Sequence, residues 1–317
     1  MKVGVAGCGS IGTRYVGWLT ELGVEVIAFD PVPERRDAAR AAGARWVVDD
    51  YRSLLDGGVQ RVLIASPPTT HTALAQPALE AGLDVLIEKP LAADLSSAMA
   101  LCTAAANAPG RAWVVCNMRF HPGIQCVRDN LVRIGRPLFA RAHFGHRLAQ
   151  MRPAGLGAYA ADADAGGGVI LDCIHELDYL RWLFGPIDSV DTLAARIGPD
   201  EINAEDYAEI RLRHADGVHV ALHLDFLMRW KRRGLEVHGT EGGLIWASEG
   251  KQPERCSVWF TEYGAEHVLL QCPDVDGTQP YRSMLRAFLD APESLQTVTE
   301  GAAVLAVALR ARGAAPA

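Results

Sequence analysis

Apolar positions along the chain cluster into short runs separated by stretches of helical periodicity. Residues 2–7 (Lys-Val-Gly-Val-Ala-Gly) predict a buried strand, followed by a glycine-rich turn and a helix through Leu22. Residues 24–30 predict the next strand, ahead of a polar helix with Arg35, Arg36 and Arg40. Val59–Ser66 is apolar until Pro67-Pro68 interrupts it. Then come a helix over His71–Ala81, a strand over Asp84–Glu88, an alanine-rich helix over Leu95–Ala106 and a last apolar run, Trp113–Cys116. Short apolar strands alternating with helices predict a parallel sheet covered on both faces. Residues 1–119 therefore read as a doubly wound α/β domain.

The rhythm changes beyond residue 120. A helix over His121–Ile134 precedes Pro137–His146, which alternates like a half-exposed strand. Gly166-Gly167-Gly168 opens a predicted long helix, Val169–Phe184. Several β-like runs follow without helices: Asp206–Arg213, Val218–Phe226, Gly234–Trp246, Ser257–Tyr263 and His267–Cys272. Turn signals such as Ala215-Asp216-Gly217 join them, which favours a largely antiparallel sheet. Helices at Tyr281–Leu289 and Thr299–Arg312 complete a second domain over residues 120–317.

The length of 317 residues suits two such domains, and 49% hydrophobic with 22% charged residues is a globular balance. No apolar run reaches the ~18–20 residues of a membrane span. Met1-Lys2-Val3-Gly4-Val5 leads directly into a strand pattern, so a cytoplasmic chain without a signal peptide is expected. A net charge of −7 argues against nucleic acid as a partner, because phosphate binding needs a basic surface. The seven cysteines show no C-x-x-C pair, which reads as reduced thiols and no structural zinc. His219 and His223 lie four apart on a strand pattern without a clear third ligand, and His143 and His146 would face opposite sides of a strand. No metal is expected.

Gly7-Cys8-Gly9-Ser10-Ile11-Gly12 is a G-x-G-x-x-G between a strand and a helix. The first glycine permits a tight turn, the second lets backbone approach a pyrophosphate, and the third lets helix and strand pack closely. Ser10 and Ile11 open the helix whose N-terminus would meet the phosphate charge. Asp30 falls at the end of the second strand, where an acid can accept both ribose hydroxyls and repel a 2′-phosphate. NAD is the expected cofactor. NADP is the alternative, because Arg35 or Arg36 could fold back onto a phosphate.

Further strings follow this motif: Ser66-Pro67-Pro68-Thr69-Thr70-His71, Glu88-Lys89-Pro90-Leu91-Ala92, and Asp172-Cys173-Ile174-His175-Glu176-Leu177-Asp178 after the triple glycine. With Asn117-Met118-Arg119-Phe120-His121-Pro122 and Glu236-Val237-His238-Gly239-Thr240-Glu241-Gly242, they resemble the Gfo/Idh/MocA oxidoreductase family over nearly the whole chain. The resemblance implies a Rossmann domain plus a domain with a large open sheet, a carbohydrate-like substrate between them, and a homodimer or homotetramer. It places Lys89 near the nicotinamide and the reacting alcohol. It makes Asp172 and His175 the aspartate and histidine of the helix after the triple glycine. Pro67, Pro68 and His71 would shape the nicotinamide pocket, and Glu88 would contact the cofactor or orient Lys89. Many members have four residues from that aspartate to the histidine, whereas this chain has three. The shorter form, with Arg152-Pro153 and Tyr159, looks like a subgroup associated with nonulosonic sugars. Its additional Tyr-Arg pair is replaced here by Gly-Leu-Gly-Ala. Arg119, Arg152 and Tyr159 are candidate substrate contacts, with loop support as the plainer role.

The residues fit that chemistry. Oxidising a secondary alcohol removes a hydride from carbon and a proton from oxygen, and the proton acceptor should titrate near working pH. His175 suits this task. Only Lys2, Lys89, Lys231 and Lys251 are lysines among 31 basic residues, and an ammonium at position 89 can stabilise developing alkoxide charge. Asp172 and His175, three apart, would share one helix face. The leading expectation is an NAD-dependent dehydrogenase or ketoreductase acting on a sugar, cyclitol or sugar derivative. A redox-neutral glycosidase or epimerase that oxidises the sugar transiently is the alternative, and a non-catalytic NAD-binding scaffold is the third.

Overall fold

The computed structural model describes residues 1–151, 159–163, 166–251 and 253–313. The chain forms two compact units. The first comprises Met1–Cys116 and Arg282–Leu305, and the second comprises Asn117–Tyr281 and the chain from Ala306.

In the first unit the predicted alternation is realised as β1 (Lys2–Ala6), α1 (Ser10–Glu21), β2 (Glu25–Phe29), α2 (Pro33–Ala41), β3 (Trp46–Val48), α3 (Tyr51–Leu55), β4 (Arg61–Ile64), α4 (His71–Glu80), β5 (Asp84–Ile87), α5 (Leu95–Asn107) and β6 (Ala112–Val114). These six strands are parallel and lie in the order β6-β5-β4-β1-β2-β3. The central strands are buried on both faces; Val3, Val5, Val62, Leu63, Val85 and Leu86 have no exposed surface. The strand order reverses between β1 and β4, so the loops after these strands open at the edge where such sheets bind ligands.

The second unit contains α6 (Pro122–Asn130), β7 (Pro137–Gly145), α7 (Leu148–Met151), α8 (Val169–Asp172), α9 (Ile174–Phe184), β8 (Ile187–Ala195), β9 (Tyr207–His214), β10 (His219–Asp225), β11 (Arg232–Gly239), β12 (Gly243–Glu249), β13 (Glu254–Glu262) and β14 (Ala265–Val275). Its eight-stranded sheet runs β14-β13-β12-β11-β7-β10-β9-β8 and is antiparallel except for the parallel pair β7–β10. Register aligns one buried row across it: Ala142 faces Leu222 on one side and Leu235 on the other. The helices α6, α8 and α9 pack against strands of this sheet. Chain order ends with α10 (Gln279–Asp290), the two-residue strand β15 (Gln296–Thr297) and α11 (Val298–Gly313). β15 pairs antiparallel with β6, which adds the segment after residue 282 to the first unit's sheet.

Two expected elements divide. The run Gly234–Trp246 is a hairpin, β11 and β12, in which the Gly239 amide bonds to the carbonyl of Gly242. The long helix Val169–Phe184 breaks at Cys173, whose backbone (φ −96°, ψ 27°) leaves helical geometry. Asp172 therefore ends α8, while His175 lies in the first turn of α9. The two residues do not share one helix face, because the three-residue spacing rule requires unbroken helical dihedrals between them. Among the described residues, no helix is long and apolar enough to cross a membrane.

Candidate functional site

The glycine turn after β1 has the sterics its sequence demands. Gly7 has φ +95°, and a Cβ there would lie 2.6 Å from the amide nitrogen of Ser66. A Cβ on Gly12 would overlap the carbonyl of Gly7, so α1 can approach β1 this closely only without a side chain. Gly9 has no protein atom within 4 Å of a Cβ position. Gly9 precedes α1 without a side-chain cap, and the first-turn amides, from Ser10 and Ile11 onward, have no intrahelical acceptor. This turn fits a pyrophosphate: it combines room over Gly9 with backbone donors and no acidic residue in the first helical turn.

Asp30 is buried just beyond β2. One carboxylate oxygen accepts the Cys8 amide at 2.8 Å, and the other accepts the Val32 amide at 2.9 Å. Its charge thus tethers the glycine turn to the end of β2. Burial, then the neighbouring Asp30 charge, pushes the Cys8 thiol up to about 12, so this cysteine is not a thiolate at neutral pH. Arg35 lies 3.8 Å from Asp30, and Arg36 donates to the carbonyls of Asp30 and Pro31.

The loops after β4 and β5 are joined by His71. Its ring has no exposed surface; Nδ1 lies 3.2 Å from the Leu91 carbonyl and Nε2 lies 2.9 Å from that of Ser66. Burial lowers its pKa. His71 thus ties the loop that begins at Ser66 to the loop that carries Leu91. Glu88, also buried, accepts the Tyr15 hydroxyl at 2.5 Å and the Lys89 amide at 2.9 Å. Lys89 is the second residue after β5, is partly exposed, and precedes Pro90 through a cis peptide bond.

In the second unit the triple glycine leads into α8. Gly168 has φ +106°, and a Cβ there would strike the Glu205 carboxylate, whose oxygen accepts the Ile170 amide at 3.4 Å. Asp172 and Cys173 are buried, and His175 is partly exposed. His146, just past β7, is buried between the rings of Phe144 and Phe226. Among the described residues, His146, Asp172 and Cys173 bring a nitrogen, an oxygen and a sulfur atom within 4.8 Å of one another. In the sequence His146 is marked only by its place, at the C-terminal end of the inward-facing row Ala140, Ala142 and Phe144.

Arg119 is only 3% exposed and makes a bidentate pair with Asp178, with Nη2 at 2.6 Å and Nε at 3.1 Å. This pair holds the turn after β6 to α9. Arg152 lies outside the described residues, as does the side chain of Tyr159, whose backbone forms a short 3-10 turn through Ala161.

Comparison with known proteins agrees with this architecture. Residues 1–115 match the model of the oxidoreductase family with an NAD-binding Rossmann fold, and residues 132–245 match the GFO/IDH/MocA C-terminal domain. The chain is 30% identical over 300 residues to 1,5-anhydro-D-fructose reductase of Ensifer adhaerens, covering 92% of this chain and 87% of that protein. It is 30% identical to an inositol 2-dehydrogenase of Acidothermus cellulolyticus over 264 residues, 78% of this chain and 73% of the relative. An oxidoreductase from Agrobacterium radiobacter, crystallised with NAD+, L-tartaric acid and magnesium, shares the fold with a TM-score of 0.83 at 22% identity. That alignment covers 99% of this chain and 96% of the other. A levoglucosan dehydrogenase crystallised with NADH and levoglucosan gives 0.83 at 20% identity, with the same coverages of 99% and 96%. The two family matches and a relative aligned over 92% of the chain agree: the chain belongs to the Gfo/Idh/MocA family of NAD(P)-binding oxidoreductases.

Proposed function

We propose that this oxidoreductase interconverts a secondary alcohol and a ketone on a sugar, cyclitol or sugar derivative, with NAD as the preferred dinucleotide. The observation that carries the reading is Lys89. The main chain at this residue is anchored by a buried carboxylate at the carboxyl edge of a parallel sheet, directly beside the loop that β4 sends to the same edge. The named relatives act on anhydrofructose and inositol, and a structural neighbour binds levoglucosan, which supports a polyhydroxylated substrate.

The dinucleotide supplies the hydride acceptor or donor when bound. The glycine turn would hold its pyrophosphate through backbone amides, and Asp30 would favour ribose hydroxyls over a 2′-phosphate. Lys89 binds the reacting hydroxyl and stabilises negative charge as it develops on oxygen. His175 accepts the hydroxyl proton in oxidation and returns it in reduction. Asp172, backed by His146, orients the substrate or the imidazole. The open face of the eight-stranded sheet carries Phe139 and Leu193, 40% and 56% exposed, and we assign it to assembly with a second copy. Light scattering after gel filtration tests this: a strictly monomeric species overturns it.

The test of function is a panel of myo-inositol, levoglucosan and D-apiose with NAD+ or NADP+, and 1,5-anhydro-D-fructose with NADH or NADPH, followed at the nicotinamide absorbance band. Turnover with one of these, lost by about 10²-fold or more in His175→Ala and Lys89→Met, supports the reading. Full activity in either variant removes that residue from the chemistry. Product formation without net nicotinamide change identifies a redox-neutral reaction.

A further inference from the structure

Glu88 brings together two groups that lie far apart in sequence. The Tyr15 hydroxyl, on α1, donates to one carboxylate oxygen at 2.5 Å, and the Lys89 backbone amide donates to the other at 2.9 Å. The Glu88 amide is itself held by the Ile64 carbonyl at 2.9 Å, so the carboxylate projects from a fixed strand end. Tyr15 has no exposed surface, and its ring meets Trp18 edge-on at 5.6 Å. Tyr15 sits three residues after Gly12, on the helix face that packs toward the sheet. The hydroxyl and the amide hold different oxygens of one carboxylate, so its orientation is fixed from both sides. Pro90 follows with no amide hydrogen, which leaves the residue-89 amide as the donor at this turn.

We propose that Tyr15 is a positioning residue for Lys89. It orients the Glu88 carboxylate, the carboxylate clamps the residue-89 amide, and the ammonium is thereby set relative to the helix that leads out of the glycine turn. The proposal rests on the reading of Lys89 as the hydroxyl-binding group, and it adds a residue that touches neither substrate nor dinucleotide.

The four lysines make this directly measurable. Reductive methylation with ¹³C-formaldehyde keeps each lysine charged and gives one dimethylamine signal per lysine, with that of Lys89 identified by its loss in Lys89→Arg. We expect Tyr15→Phe to shift the Lys89 signal while those of Lys2 and Lys251 stay in place. Leu19→Val trims a buried side chain of the same helix away from the carboxylate, and we expect it to shift none of them. With the panel substrate the wild type turns over fastest, Tyr15→Phe should lower kcat about tenfold and leave the KM for dinucleotide within about twofold. An unmoved Lys89 signal in Tyr15→Phe, or an equal movement in Leu19→Val, overturns the proposal. Full turnover by Lys89→Met would instead remove the catalytic reading of Lys89, whatever the methyl signals show for Tyr15.

Discussion

The guanidinium of Arg233 lies 2.7 Å from a carboxylate oxygen of Glu176, the residue that follows His175. Glu176 is fully buried, and the same guanidinium stacks 3.7 Å above the Phe144 ring and reaches the Met118 sulfur at 2.9 Å. β11 thus grips α9 beside the proposed proton acceptor. Removing one partner strands a buried charge. We expect Arg233→Met to destabilise the protein by about 3–5 kcal/mol, and Arg233→Met with Glu176→Leu to recover much of that, as read by urea denaturation. A single variant within about 0.5 kcal/mol of wild type would show that the pair contributes little.

Arg119 and Asp178 make a second buried pair, and its geometry is a fork. Lysine keeps the charge but cannot make two parallel bonds to one carboxylate. Arg119→Lys should lower the midpoint of thermal unfolding by several degrees and leave the substrate KM within about twofold. A large rise in KM at unchanged stability would show that Arg119 meets the substrate after all.

At Asp30 the carboxylate tethers the glycine turn, and the proposed function gives it the ribose as a second partner. Asp30→Ser removes the charge that opposes a 2′-phosphate, and Arg35 and Arg36 are already beside it. The ratio of kcat/KM for NAD+ over NADP+ should fall by about tenfold or more. An unchanged ratio would mean that Asp30 serves the turn alone.

The His121–Glu254 pair makes the second unit sensitive to acid. Gly123 donates its amide to Nδ1 of His121 at 3.1 Å, while Nε2 lies 3.2 Å from Glu254, so the neutral ring must carry its proton on Nε2. Burial lowers the pKa of His121. Burial opposes ionisation of Glu254, but hydrogen bonds from His121 and Ser248 and the Lys231 ammonium at 2.7 Å outweigh it and hold this carboxyl well below the usual range. Both signs run the same way. Below pH ~6.5 the unfolded chain protonates its histidine more readily than the folded one, and below ~4.5 it also protonates its glutamate more readily. Stability should therefore fall on acidification, first between about pH 6.5 and 5 through His121 and then more steeply through Glu254. Urea midpoints across this range measure it, and His121→Asn should flatten the upper part. A flat wild-type profile would contradict the assignment.

Much of the first unit was legible because its determinants are local. Strands buried on both faces read as apolar runs, and the glycine turn announces itself in six consecutive residues, Gly7 to Gly12. The strands β3 and β15 escaped because two or three residues carry no period, and the nine-residue β8 escaped because its mostly exposed residues give little apolar alternation. The break at Cys173 escaped because the sequence there keeps a helical pattern while the backbone leaves it for one residue. The open sheet was legible as alternating runs, although alternation alone did not divide Gly234–Trp246 into two strands.

Side-chain type and spacing along the chain determined that this protein is an α/β chain of two sheets with a dinucleotide turn, and which residues can move a proton. Tertiary structure decided which of them meet. Arg119 and Asp178 are 59 residues apart and Tyr15 and Glu88 are 73 apart. Periodicity says which face a residue occupies, but not which distant residue occupies the space opposite. That is settled only when strands take their order in a sheet and helices pack over them, because a buried charge or hydroxyl must then find its partner among the groups the fold has brought within reach.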